Sequence, residues 1–171
     1  LSAETVKRIG ADRAAEAAGI LAEASGAYGM AGGQMIDLES EGKQIDADTL
    51  IRMDECKTGA LIRAAAEMGC VLAGASAAER RAAEAYAKAL GLAFQITDDI
   101  LDVEGDPAAL GKPVGGDRER EKSTYVSILG MKRARTLVEE LTAAAGRALD
   151  IFGERGSYLR ELAVRLSGRK K

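Results

Sequence analysis

The chain has 171 residues, of which 24 are basic and 27 acidic, and its net charge is -3. This length suits one domain with a real core. Aromatic residues make up only 4% of the sequence, and Ala, Leu, Glu, Lys and Arg dominate, so we expect an all-α fold. Histidine is absent, which excludes Ser-His-Asp and Cys-His catalysis and the His-containing zinc peptidase motifs.

Charge and hydropathy exclude two further classes of protein. The basic block is confined to the tail Arg169 to Lys171, so we expect no nucleic acid partner. No apolar run reaches the roughly 18 to 20 residues that cross a bilayer. The sequence after Leu1 also lacks the basic-then-apolar pattern of a signal peptide. We therefore expect a cytoplasmic protein without a transmembrane segment.

The first strong helical pattern covers residues 12–39. It is interrupted by closely spaced glycines, namely Gly26, Gly29, Gly32 and Gly33. Each glycine in a helix interior costs roughly 0.5 to 1 kcal/mol relative to alanine. Their density predicts the close approach of a ligand or of another helix, and tight helix packing is the simpler explanation.

Two more helices are predicted at about 47–55 and 57–72, after a polar connection at 39–48. A capping box follows, in which Ser76 is the cap and Glu79 lies three residues later. This signal marks the start of a long helix.

The long helix is predicted to reach about Asp102, where the character of the sequence changes. Residues 103–123 hold both prolines of the chain, several glycines and many charges. A loop of this length is uncommon unless it has a function, so we expect a lid. Helical patterns resume at 124–152 and at 157–166.

Three carboxylates, Asp98, Asp99 and Asp102, lie at the end of the long helix. Steps of three or four residues from Ala83 place Asp98 and Asp102 on its apolar, core-facing stripe. Inward carboxylates cost several kcal/mol each unless a cation meets them, and this part of the sequence supplies no Lys or Arg. Mg²⁺ held with waters and phosphates would meet that need. Gln95, one turn earlier, could donate to a phosphate oxygen.

The alternative is that these acids are solvated surface charges. Negative charge near a helix C-terminus is disfavoured by about 0.3 to 1 kcal/mol, however, which makes three acids there unusual. We therefore favour a metal site.

Basic residues occur where a bound diphosphate would need them. Lys112 and Lys122, with Asp117 between them, belong to the predicted lid. Lys57 and Thr58 begin a predicted helix, where backbone amides and a cation together can bind an anion. Each lysine alone is typical of a solvated surface, but together they indicate an anion site.

Several ordered motifs between about residues 29 and 130 carry a family resemblance. They are Gly32-Gly33-Gln34, Lys57-Thr58-Gly59-Ala60-Leu61, Phe94-Gln95-Ile96-Thr97-Asp98-Asp99-Ile100-Leu101-Asp102, Leu110-Gly111-Lys112 and Lys122-Ser123-Thr124-Tyr125. With them the chain resembles the trans-isoprenyl diphosphate synthases, in particular those of the bacterial farnesyl diphosphate synthase (geranyltranstransferase) type.

The resemblance implies one all-α domain with a central cavity, of which residues 1–171 are the C-terminal half. It implies a prenyltransferase in which an allylic diphosphate, dimethylallyl or geranyl, ionises with the help of Mg²⁺. Isopentenyl diphosphate then attacks the carbocation, and the product is farnesyl diphosphate or a related short-chain isoprenyl diphosphate. The full-length protein is expected to be a homodimer.

The resemblance also implies a role for each candidate residue. Asp98 would ligate Mg²⁺ directly, and the acids that would support the metal and its waters are Asp99, Asp102 and Asp117. The lysines that would hold the departing diphosphate during catalysis are Lys57, Lys112 and Lys122. The residues that would lie beside the carbocation or the diphosphate are Thr58 and Gln95.

The family's first Asp-rich motif and the Arg-Arg pair after it are absent from this sequence. Because the metal clamp of the family needs both acidic motifs, we expect this chain alone to be inactive or nearly so. Two alternatives stay open at this point. One is a class I terpene cyclase, which uses the same metal chemistry, and the other is a non-catalytic regulatory subunit with the same fold. The length of the product cannot be read from these residues.

Overall fold

A computed structural model describes residues 3–104 and 122–169, and this part of the chain is helical without strands. The predicted all-α fold is confirmed. In chain order the α-helices are α1 (Ala3–Ile9), α2 (Ala11–Ser25), α3 (Met30–Ser40), α4 (Ala47–Asp54), α5 (Ala60–Ala73), α6 (Ala77–Glu104), α7 (Tyr125–Leu129), α8 (Met131–Ala148) and α9 (Ser157–Ser167). A π-helical segment, Glu55–Gly59, joins α4 to α5, and a 3₁₀ segment, Asp150–Gly156, joins α8 to α9.

The long helix α6 is the centre of the fold and packs against α5 on one side and α8 on the other. It begins at the predicted capping box. The backbone N–H of Ser76 donates to Glu79 Oε2 at 2.9 Å, and the backbone N–H of Glu79 donates to Ser76 Oγ at 3.3 Å. These bonds satisfy two donors that a helix start otherwise leaves unpaired. The start of α6 is therefore confirmed, and the helix extends at least to Glu104, beyond the predicted Asp102.

Two apolar clusters form the core along α6. The one near the C-terminal end of α6 consists of Leu50, Ile96, Ile100, Tyr125, Ala134 and Val138. The one near its N-terminal half consists of Tyr86, Ala87, Leu90, Ala145, Leu149 and Ala163. The first cluster lies under the acidic motif and joins α4 and α7 to it.

The helix predicted at 12–39 is in fact two helices, since α2 ends at Ser25 and α3 begins at Met30. The pattern at 124–152 is also divided, because Gly130 adopts φ 78° between α7 and α8. This left-handed region suits glycine, which has no Cβ. The predicted helix at 157–166 is confirmed by α9.

The predicted lid at 103–123 lies mostly outside the described residues, which resume at Lys122. Among the described helices, none is long and apolar enough to cross a membrane.

Candidate active site

Two of the predicted lysines, Lys57 and Lys122, form ion pairs with the same carboxylate, Asp37, which was not among the predicted site residues. Lys57 Nζ lies 2.8 Å from Asp37 Oδ2, and Lys122 Nζ lies 3.0 Å from Asp37 Oδ1. Asp37 and Lys122 are 85 residues apart in the sequence. Burial acts to raise the pKa of Asp37, but the hydrogen bonds from the two ammonium groups outweigh it, and the pKa lies below its usual value. The carboxylate therefore stays ionised between two cations.

Local backbone structure explains how Lys57 reaches Asp37. Gly33 and Asp37 lie one turn apart on the same face of α3. A Cβ on Gly33 would lie 2.2 Å from the backbone N of Lys57, so only glycine allows the two segments to approach this closely. Lys57 and the partly buried Thr58 belong to the π-helical segment, a distortion often found at functional sites. Gly33 thus serves the helix packing that was predicted for the glycine cluster, whereas a Cβ at Gly29 or Gly32 would meet the chain's own preceding backbone at Ala24 or Ala27.

The residues that follow Lys122 are anchored by hydrogen bonds to other parts of the fold. Ser123 Oγ accepts a hydrogen bond at 3.0 Å from the backbone N–H of Ile45, which precedes α4. Thr124 caps α7 by accepting from the Ser127 N–H at 3.1 Å. The N–H of Tyr125 donates to Asp99 Oδ2 at 2.7 Å, which ties α7 to α6. Lys122 is therefore positioned by fixed neighbours although the residues just before it are not described.

Asp98 does not lie on the core-facing stripe, and this part of the prediction is wrong. Its side chain is 52% exposed, whereas Ile96 and Thr97 are buried. The described helices leave α6 uncovered at Asp98, although Ala87 and Gly91 on a similar side of the helix are buried. Asp102, one turn further along, is buried, with 7% exposure.

Arg169, close to the end of the described residues, is the cation that meets Asp98. Its Nη2 lies 3.1 Å from Asp98 Oδ1, and its guanidinium lies over the ring of Phe94, 4.0 Å from the centroid. This is a cation–π contact on the same exposed face of α6. The C-terminal basic residue thus supplies the positive charge that the sequence near Asp98 lacks.

Gln95, the predicted phosphate donor, is held by a buried acid. Its Nε2 donates to Asp54 Oδ1 at 3.2 Å, and Asp54 is only 6% exposed. Burial raises the pKa of Asp54 to about 6, although Gln95 and the nearby ammonium of Lys57 act in the opposite direction. The Tyr125 hydroxyl lies close to the Asp54 carboxyl but forms no hydrogen bond of good geometry with any described residue.

An open cleft of about 750 Å³ lies beside Lys122. Its polar lining includes Asp99, Asp102, Lys122 and Ser123. The structure thus brings three predicted residues, Asp99, Asp102 and Lys122, to one surface. Asp98 lies at the exposed edge of α6 instead, and the predicted residues Lys112 and Asp117 lie outside the described part of the chain.

The arrangement of the acidic residues suits Mg²⁺ that is bound partly by water and substrate phosphates, and not a site made of protein ligands alone. No three acidic or cysteine side chains in residues 3–104 and 122–169 are grouped closely enough to enclose a metal ion. Mg²⁺, however, is commonly bound by one or two carboxylates and completes its shell with water and substrate phosphates. The half-exposed Asp98 fits this second arrangement, in which a phosphate ligand supplies much of the coordination.

Two contributors to the site were missed from the sequence: Asp37 and Asp54. Asp37 follows two apolar residues in α3, and an acid in that position is a weak signal for a buried ion pair. The basic tail that contains Arg169 was recognised, but the pairings of Asp54 and Arg169 gave no local signal, because their partners lie 41 and 71 residues away.

Comparison with known proteins identifies the family. The family model described as polyprenyl synthetase matches residues 1–150. The chain belongs to the polyprenyl synthetase family. It is 46% identical over 157 residues to farnesyl diphosphate synthase of Escherichia coli strain K12, covering 88% of this chain and 52% of that protein. The chain thus spans about half the length of this curated relative.

Solved structures of polyprenyl synthetase relatives share the fold. An FPP/GFPP synthase from Zymomonas mobilis in its apo form superposes with a TM-score of 0.77 at 36% identity, over 91% of this chain and 51% of that one. A geranyltransferase from Helicobacter pylori, complexed with magnesium and isoprenyl diphosphate, gives a TM-score of 0.75 at 30% identity, over 92% of this chain and 52% of that one. Both cover nearly all of the present chain.

Proposed function

We propose that this chain carries the diphosphate-binding half of a prenyltransferase site. The observation that supports this most strongly is the convergence of Lys57 and Lys122 on the two oxygens of Asp37. Two ammonium groups at fixed positions, each with further N–H donors, form a two-point anion site. The allylic diphosphate of dimethylallyl or geranyl diphosphate is the anion that the family points to, and isopentenyl diphosphate is the second substrate.

The residues of the chain have distinct parts in this reaction. Lys57 and Lys122 hold the diphosphate as the allylic C–O bond breaks and negative charge grows on the leaving group. Thr58 and Gln95 lie on the adjoining segments and place polar atoms beside the allylic carbon. Lys112, in the predicted lid, is proposed to add a third contact. Loss of a proton after attack by isopentenyl diphosphate gives farnesyl diphosphate or a related short-chain product.

Magnesium is proposed as the cofactor, and when bound it would neutralise the departing diphosphate. Asp98 is the direct ligand in this proposal because its side chain is half exposed. Asp99, Asp102 and Asp117 are proposed to support the waters around the metal. Asp99 already holds the N-terminus of α7, so its contribution includes fixing the segment that begins at Lys122.

Residues 1–171 are, in this proposal, the C-terminal half of one all-α domain, and the chain alone is inactive or nearly so. The relatives named above are a farnesyl diphosphate synthase, an FPP/GFPP synthase and a geranyltransferase, which favours neither a terpene cyclase nor a regulatory subunit. The homodimer and the cytoplasmic location stay predictions.

The test is prenyl transfer by a full-length protein that contains this chain. With isopentenyl diphosphate and dimethylallyl or geranyl diphosphate, diphosphate release should require Mg²⁺ and should fall by at least about a hundredfold in Asp98→Ala. The Asp12→Ala variant, which changes an exposed acid at the start of α2, is the matched control. Equal turnover in Asp98→Ala and the parent would contradict the proposed metal site.

A further inference from the structure

The two carboxylate oxygens of Asp37 accept hydrogen bonds from different lysines, Oδ2 from Lys57 and Oδ1 from Lys122. The Asp37 side chain is 10% exposed, whereas those of Lys57 and Lys122 are 34% and 24% exposed. We propose that Asp37 is a positioning residue, which sets the separation of Lys57 and Lys122 so that both can grip one diphosphate. This inference rests on the proposed function and assigns a part to a residue outside the predicted site.

The donor geometry allows the lysines to hold Asp37 and a ligand at once. A carboxylate can only accept hydrogen bonds, whereas each ammonium group has three N–H donors. Each lysine donates one hydrogen bond to Asp37, and within residues 3–104 and 122–169 its remaining N–H donors have no other acceptor, so they can reach a phosphate oxygen. Because Asp37 is the buried partner, the ligand would approach from the more exposed lysine side. Asp37 therefore need not be displaced when an anion binds.

Charge explains why the lysines need a shared partner. Two ammonium groups close together repel each other, and without an anion between them their flexible side chains would move apart into solvent. Asp37 offsets that repulsion before any ligand arrives. The distance between two oxygens of one carboxylate is fixed by covalent geometry, so two ammonium groups bound one to each oxygen are kept within a limited range of separations. Preorganisation of this kind lowers the ordering cost of binding.

The frame that holds Asp37 is rigid. Its helix contacts the π-helical segment through Gly33, where the backbone of Lys57 leaves no room for a Cβ. The other lysine is fixed by the hydrogen bond between Ser123 and Ile45 at 3.0 Å. Lys57 and Lys122 therefore belong to separate segments, and both contact Asp37, whose position is set by the packing of α3 against the backbone of Lys57.

A competing explanation makes the opposite prediction. If Asp37 only neutralises the lysines and competes with the ligand, its removal should tighten diphosphate binding. If it positions them, removal should weaken binding although the site becomes more positive. The direction of the change therefore decides between competition and positioning.

The experiment is calorimetric titration of the 171-residue chain with inorganic diphosphate in the presence of Mg²⁺. We expect Asp37→Asn, which keeps the shape and removes the charge, to bind about tenfold more weakly. Asp48→Asn, on the exposed start of α4, removes the same charge from the surface and should bind as the parent does. When Lys57→Met and Lys122→Met are already present, adding Asp37→Asn should not change the affinity for diphosphate any further. A general loss of folding would instead lower the affinity again.

The outcomes separate this inference from the proposed function. Equal or tighter binding by Asp37→Asn, with binding still dependent on the two lysines, overturns the positioning role and leaves the proposed function intact. Absence of binding by the parent overturns both. Circular dichroism shows whether each variant is folded. If Asp37→Asn does not fold, Asp37→Glu decides, because it keeps the charge but moves the carboxylate. Weaker binding supports positioning, and parental binding overturns it.

Discussion

Arg169 and Asp98 form an ion pair at the edge of α6, with 3.1 Å between Nη2 and Oδ1. The arginine also stacks on Phe94, and its Nε is buried without a hydrogen-bond partner among the described residues. The same Asp98 is the proposed magnesium ligand. A metal at Asp98 therefore has to share this carboxylate with Arg169 or replace it.

Arg169→Ala is expected to strengthen metal binding by about threefold, because a competing cation is removed from a partly exposed carboxylate. The measurement is the Kd for Mn²⁺, followed by electron paramagnetic resonance in the presence of inorganic diphosphate. Arg165→Ala is the matched control, since Arg165 is exposed and pairs with Glu161 on the same helix. Unchanged or weaker Mn²⁺ binding in Arg169→Ala would show that the arginine does not compete for Asp98.

Gly33→Ala is expected to lower the free energy of unfolding by about 1 to 3 kcal/mol, because its Cβ would press on backbone that cannot rotate away. Gly19→Ala is the control. Gly19 lies in the interior of α2, and a Cβ there meets nothing within 4 Å, so alanine should stabilise the chain by about 0.5 to 1 kcal/mol. Urea denaturation measures both, and a Gly33→Ala variant as stable as the parent would mean that the approach of Lys57 to α3 is not tight.

The buried acid Asp54 should make stability depend on pH. Its pKa is about 6 in the folded chain and 3.8 in a solvated one. Between these values the folded state keeps a proton that the unfolded chain has lost, so the free energy of unfolding falls as pH rises. The full displacement corresponds to about 3 kcal/mol. Asp37, the other acid that acts on Asp54, has a pKa below 3.8 and stays ionised in this range.

Asp54→Asn removes this titration. The free energy of unfolding of the parent minus that of the variant should therefore fall by up to about 3 kcal/mol between pH 4 and pH 7. Urea denaturation at several pH values measures it. Asp46→Asn is the control, because the hydrogen bonds from Thr49 place the pKa of Asp46 below 3.8. The stability that Asp46 adds to the folded chain is therefore lost only below about pH 4, outside the range tested. A constant difference between parent and Asp54→Asn would refute the raised pKa.

Ser123→Ala should weaken binding of inorganic diphosphate by a few-fold and lower the free energy of unfolding by about 1 kcal/mol. The reason is that the N–H of Ile45 loses its acceptor and the segment carrying Lys122 loses an anchor. Ser127→Ala, which removes a hydroxyl from the cap of α7, is a useful comparison because it should affect stability more than binding. The prediction fails if Ser123→Ala binds diphosphate as the parent does.

Sequence patterns predicted the helical fold and the start of α6, and they selected Lys57 and Lys122, which the structure brings together at Asp37. These features have local causes: the capping box satisfies its own donors, and the Lys-Thr motif is short and contiguous. The exposure of Asp98 was mispredicted because the periodicity of a helix shows which residues share a face but not where along the helix other elements cover that face. Ala83, Ala87 and Asp102 on that stripe are buried, whereas Asp98 is not.

Asp37 and the π-helical segment could not be predicted for a different reason. The pairing of Asp37 with Lys122 joins residues 85 positions apart, and it depends on the packing of α3 against the segment at Glu55–Gly59. The sequence of that segment carries no signal that distinguishes a π-helix from an α-helix. Arg63, whose Nη2 donates to the backbone carbonyl of Glu55 at 3.1 Å, helps to satisfy the altered backbone.

The most direct test of the central claim is a nuclear magnetic resonance titration of the ¹⁵N-labelled chain with inorganic diphosphate and Mg²⁺. If the chain itself carries the diphosphate half of the site, amide shifts should cluster at residues 57–58, 95–98 and 122–124. The shifts should be much smaller with diphosphate alone and absent with sulfate at equal ionic strength. Shifts confined to other surfaces, or the same shifts with sulfate, would contradict the account.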